Sequence, residues 1–194
     1  MPITYTNRKG LTYYLCQGVT KTGKPRYTFA REIKGEAVEQ IPDGYTISES
    51  VNGVVSLSKT QVSQLREEEI NAVKAAVARH PKSRNYRVNA RPKRIEVYES
   101  TGPDAETLIA NLSSLFPVFP GTASKLSADL DRYAQFTPVL RFTLIDADTR
   151  AFEAERMCYR GSIDDFIHIG YGPLEPMASD MIATLGTEEF FEWF

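Results

Sequence analysis

Residues 139–160 read VLRFTLIDADTRAFEAERMCYR, and this stretch decides the fold. Leu140, Phe142 and Leu144 alternate with Arg141 and Thr143, the period of a half-buried strand. A polar turn, Asp146 to Arg150, follows. Phe152, Ala154 and Cys158 then alternate with Glu153, Glu155 and Tyr159, and Arg156 breaks the apolar row. Two such runs around an Asp/Thr-rich turn predict a β-hairpin with one apolar face, on which the C-terminal half is built.

Working outward, residues 82–99 (KSRNYRVNARPKRIEVYE) fit either two strands around a tight turn or one edge strand broken at Pro92. Before them, Val62, Leu65, Ile70, Val73 and Val77 recur at helical spacing. They predict a helix from about Gln61 to His80, capped by Ser58 or Thr60 and stopped by Pro81. Residues 1–59 predict a small antiparallel sheet, with strands at 13–19, 26–31, 45–48 and 54–58 and a hairpin signal at Asn52-Gly53. One helical turn is expected within 35–41.

After residue 100, Pro103-Asp104 opens a helix striped by Leu108, Ile109, Leu112, Leu115 and Phe116, with Pro117 and Pro120 ending it. Thr122 caps the next helix. Ser162 to Asp165 suggests a helix start, and Leu174 to Leu185 a helix that ends at Gly186. A last short helix carries Phe190, Phe191, Trp193 and Phe194, an aromatic ending expected to fold back into the core. The expected fold class is α+β, with antiparallel sheets. A basic β-rich module (1–59) leads through a connecting helix (60–80) to an α+β domain (81–194).

The chain's 194 residues suffice for a core without staples. No apolar run is long enough for a membrane helix, so no membrane partner is expected. The start MPITYTNRKG lacks an apolar leader, and Cys16 and Cys158 are the two cysteines. A cytoplasmic protein with two free thiols is the expectation.

The net charge of −2 conceals an asymmetry. Residues 1–99 hold seventeen Lys/Arg against ten Asp/Glu, and residues 100–194 hold six against fifteen. Lys21, Lys24 and Arg26 lie among Tyr13, Tyr14, Tyr27 and Phe29. Arg84, Arg87, Arg91, Lys93 and Arg94 surround Tyr86. Cations on strands neutralise phosphates, and aromatics on an exposed sheet stack on bases. These eight cations form a candidate surface for a nucleic acid or another polyanion. The alternative is an interaction or scaffold protein whose charge-complementary halves pair within or between chains.

A third reading is a metal-dependent enzyme using Asp146, Asp148, Glu153 and Glu155, since four carboxylates near one turn could hold Mg²⁺. The competing expectation is a solvated hairpin face balanced by Arg141, Arg150 and Arg156. His80 and His168 have no ligand-spaced neighbours, so no metal site or cofactor is expected. Gly-x-Ser-x-Gly and phosphate-binding glycine motifs are absent. The Glu32-Ile33-Lys34 triplet precedes both Pro-Asp pairs, the wrong order for a nuclease of that kind. A Cys158/His168 dyad is conceivable, although Cys158 falls on the core-facing row.

Overall fold

The computed structural model describes residues 1–102, 105–115, 120–160 and 163–193. The fold is α+β with antiparallel sheets, and the chain divides into two compact units. The first comprises Met1–Gln61 and Ala128–Tyr133, the second Val62–Ser127 and Ala134–Phe194.

In the first unit, β1 (Thr4–Thr6), β2 (Thr12–Val19) and β3 (Pro25–Ala30) pair in that order, and β4 (Glu36–Ala37) also pairs with β2. A strand thus replaces the helical turn expected within 35–41, because Ala37 and Glu36 pair with Cys16 and Gln17. The hairpin of β5 (Tyr45–Glu49) and β6 (Val55–Lys59) turns at Gly53, whose φ is 77°. Leu15 and Cys16 are fully buried. Asn7 satisfies three backbone groups there: Nδ2 donates to the Gly53 carbonyl, and Oδ1 accepts from Lys9 and Leu11.

The second unit is built on one sheet. Helix α1 (Glu67–Arg79) precedes β7 (Tyr86–Ala90) and β8 (Arg94–Ser100). Then come α2 (Ala105–Leu115), α3 (Pro120–Tyr133, of which Ala128–Tyr133 belongs to the first unit), β9 (Phe136–Asp146), β10 (Ala151–Arg160), β11 (Ile163–Pro173) and α4 (Leu174–Ala183). The strand order is β11-β10-β9-β8-β7, antiparallel throughout. Residues 82–99 therefore form two strands around a turn, and the 139–160 stretch is the central hairpin. Leu140, Phe142, Leu144, Phe152 and Ala154 are fully buried and join Ile95, Val97, Val73 and Ile182 in one core. Helices α1 and α4 pack on each other, α1 against β7 and α4 against β10 and β11.

Three further expectations need correction. The first helix starts at Glu67, not Gln61, and Arg66 precedes it rather than Ser58 or Thr60. The reason is local: the Glu69 carboxylate accepts the Arg66 backbone N–H at 2.8 Å, closing the first turn there. This helix lies within the second unit. Residues 163–173 form a strand where a helix start was expected, because β10 pairs with them along its length. Pro120 opens α3 instead of ending the preceding helix, a position where its missing N–H costs nothing. The expectations at Pro103-Asp104, Phe116, Pro117, Ser162 and Phe194 lie outside the described residues.

Glu69 also ties α1 to the central hairpin. Arg150, at the β9–β10 turn with φ 55°, forks onto it, its Nε donating to Oε1 at 2.8 Å and its Nη2 to Oε2. The side chains are 18% and 11% exposed. Burial alone would raise the Glu69 carboxyl, but the hydrogen bonds from Arg150 and Arg66 outweigh it and hold it below the ordinary 4.5. A depressed carboxyl adds stability that is present above its unfolded value and lost as pH falls through the folded one. Arg150→Met, which strands a largely buried carboxylate, is expected to cost about 3 kcal/mol. The check is the urea midpoint at neutral pH, read by fluorescence of the single tryptophan, Trp193. Glu69→Gln should flatten the loss of stability below pH 4.5.

Candidate functional site

The apolar row of β10 continues past Ala154 onto Arg156 and Cys158. Side chains on a strand alternate, so a register that buries Phe152 and Ala154 puts Arg156 on the same side of the sheet. There Arg156 faces a cavity of about 350 Å³ also lined by Glu99, Val139, Cys158, Leu185, Phe190 and Phe191. Arg156 is 8% exposed. Its Nη2 donates to the Phe191 carbonyl at 3.2 Å, and its guanidinium carbon lies 5.5 Å from the Phe191 ring centre. Its Nε is sealed from solvent and has no hydrogen-bond partner among the described residues. Among the described residues no carboxylate lies within ion-pair distance of it. An arginine stays charged in a protein, and a buried charge without a counter-ion costs several kcal/mol.

The rim is held by hydrogen bonds. The Lys82 backbone N–H donates to His80 Nδ1 at 3.1 Å. This leaves the ring proton of neutral His80 on Nε2, which donates to the Leu185 carbonyl at 3.2 Å. His80 packs edge-on against Tyr86 at 4.8 Å. Gly186 turns the chain with φ 74°. The Thr187 hydroxyl donates to the Thr184 carbonyl at 2.6 Å, and Trp193 Nε1 donates to Thr184 Oγ1 at 3.1 Å. These bonds fix the C-terminal 3-10 turn Glu188–Glu192, whose Phe190 is buried and whose Phe191 is 58% exposed. Trp193 packs against the core, so the described part of the aromatic ending both folds back and walls the cavity.

The predicted polyanion residues fall in two groups. Lys21, Lys24 and Arg26 are exposed on the β2–β3 hairpin of the first unit. In the second unit, Arg84 and Lys93 are exposed on either side of β7. Arg87 donates to the carbonyls of Arg84 and Tyr86, at 2.9 and 2.8 Å, and lies over the Phe136 ring. Arg91 and Arg94 pair with Glu96 at 3.8 and 2.9 Å. Glu96 is 5% exposed and also accepts from the Tyr98 hydroxyl at 3.0 Å. Arg87, Arg91 and Arg94 are thus engaged within the second unit.

The four hairpin carboxylates do not converge. Asp146 accepts the backbone N–H groups of Asp148 and Thr149, and its hydrogen bonds to Thr149 hold its carboxyl below the usual range. Glu153 pairs with His168 at 3.0 Å, and Glu155 takes a two-pronged bond from Arg141 at 2.7 and 2.6 Å. Among the described residues no cluster of three or more His, Cys, Asp or Glu is placed to hold a metal ion. The Cys158/His168 dyad fails on register. His168 pairs with Glu155 on one face of the sheet, while Cys158 lies on the other with Arg156. Both cysteines are free thiols.

The sequence signal for the cavity was the charged residue in a core row. The aromatic ending was expected to fold back, but that Phe190 and Phe191 wall a chamber beside Arg156 was not visible in the sequence. Compared with known proteins, the chain matches no family model, no curated protein and no solved structure.

Proposed function

We propose that the second unit binds a small apolar carboxylate, with Arg156 receiving the anion. The observation that carries this reading is a nine-tenths buried arginine, without an acidic partner among the described residues, opening on a mostly apolar cavity of about 350 Å³. That volume suits a ligand of one aromatic ring and a short side chain. A carboxylate would supply the missing counter-charge through charge-assisted hydrogen bonds, worth roughly 1.5–3 kcal/mol each. Val139, Leu185 and Phe190 would cover its apolar body.

Calorimetric titration with phenylacetate and with the neutral phenylacetamide tests the reading. Phenylacetate should bind at least about tenfold tighter, the ratio that 1.4 kcal/mol produces. Equal affinity of the two, or no heat from phenylacetate at millimolar concentration, would reject it. Arg156→Met should abolish the difference. The same change should raise the stability of the ligand-free protein by about 1–3 kcal/mol, because it replaces a buried, unpaired charge by an apolar side chain of similar length.

A second reading concerns the first unit. Lys21, Lys24 and Arg26 are exposed around the β2–β3 turn, and none of them enters an ion pair among the described residues. This supports contact with a nucleic acid or another polyanion through the hairpin tip. Replacing all three by alanine should reduce the salt slope of oligonucleotide binding by about 2, at about 0.7 per phosphate contact on a single strand. Fluorescence anisotropy across a salt series measures this, and an unchanged slope removes these residues from any footprint.

A further inference from the structure

The cavity has a second polar wall. Glu99 on β8 also lines it, and no ion pair joins it to Arg156 among the described residues. Strand β9 lies between β8 and β10, so the two side chains start from strands two spacings apart, about 10 Å. Oε1 of Glu99 accepts the Tyr86 hydroxyl at 2.9 Å. Its other oxygen has no hydrogen-bond partner among the described residues. Burial and the neighbouring Glu99 carboxylate push the Tyr86 phenol far up, so it keeps its proton and remains the donor.

The wall is built around this pair. A Cβ on Gly186 would sit 3.0 Å from the Tyr86 hydroxyl oxygen and 3.9 Å from Oε1 of Glu99. Glycine there satisfies the positive φ of the turn and also leaves room for the Tyr86–Glu99 bond. The cavity is therefore lined by a fixed cation from β10, a carboxylate with an unengaged oxygen from β8, and apolar side chains.

We infer that the ligand is an elongated amino-carboxylate: a carboxylate for Arg156, an apolar body, and an ammonium at the far end for Glu99. The inference rests on the proposal that Arg156 receives a carboxylate. An ordinary α-amino acid is not the expected ligand: its two charged groups share one carbon, whereas Arg156 and Glu99 come from strands separated by β9 and form no ion pair with each other among the described residues.

The test compares 4-(aminomethyl)benzoate with 4-ethylbenzoate, which differ by an ammonium in place of a methyl group. In the wild-type protein the amino compound should bind about tenfold tighter, as one charge-assisted hydrogen bond predicts. The preference should collapse toward one in Glu99→Gln. Tyr86→Phe keeps the ring against His80 and frees Oε1, so it should keep or raise the preference. Phenylalanine should show no advantage over 3-phenylpropionate.

Equal affinity of the two benzoates, or preference for 4-ethylbenzoate, overturns the inference while leaving the carboxylate site intact. Failure of either to bind overturns the site itself. Loss of the preference in Tyr86→Phe as fully as in Glu99→Gln would trace the effect to a damaged wall and remove Glu99 from the ligand's partners.

Discussion

The second unit depends on the strict alternation of β10. Phe152 and Ala154 must lie on the helix-covered side of the sheet, where they join Leu140, Phe142 and Leu144 in the core. A one-residue slip would expose that row and bury Glu153 and Glu155, which is prohibitive. With the register set, Arg156 has no choice of side. Its charge goes where the core ends, and the local structure accommodates it with a carbonyl from Phe191 and an aromatic face. The cavity is thus a product of the same periodicity that makes the core. Burial of the apolar row, at about 25 cal/mol per Å², supplies the free energy that holds the arginine there.

The elements around the cavity are fastened from a distance. The Glu69–Arg150 fork joins the start of α1 to the central hairpin turn. At the other end of the same helix, His80 reaches the Leu185 carbonyl. Helix α1 is consequently fixed at both ends to features the sheet positions, and its far end presents the turn that carries Gly186. Thr184 then accepts from Trp193 and Thr187, which fixes the aromatic wall. Each bond alone is modest, typically about 1 kcal/mol, but together they leave the wall few alternative positions.

How much of this was legible depended on the range of the determining contacts. The central hairpin declared itself because alternation is local, and so did the β5–β6 hairpin with its Asn52-Gly53 turn. The first helix began six residues late because its cap is a backbone group, the Arg66 N–H, taken by a glutamate otherwise occupied with Arg150 from 81 residues away. Residues 163–173 became a strand because β10 had an unpaired edge to offer, which no window of that segment reveals. The basic stretch 84–94 is visible in sequence, yet Glu96 lies just beyond it and engages two of its arginines. Arg156 stood out as an interruption in an apolar row. Glu99 carried no comparable signal, since its role depends on Tyr86, Gly186 and a C-terminal wall.

Charges on the two faces of this sheet are treated differently, and the contrast gives Arg156 its meaning. On the face away from the helices, pairing runs across strands: Asn89 opposes Glu96, Glu96 opposes Arg141, Arg141 opposes Glu155 and Glu155 opposes His168. Glu96, Arg141 and Glu155 there alternate in sign across the strands, and the Arg141 guanidinium also lies 3.9 Å from the Phe166 ring centre. On the helix-covered face Arg156 is more deeply buried than Arg141, yet meets one carbonyl and no acid within reach among the described residues. A sheet that can match charges strand by strand on one face has the means to match one more on the other. An unmatched guanidinium facing a mostly apolar chamber is the arrangement from which the proposed carboxylate site follows, since an anion arriving from solution would supply the balance.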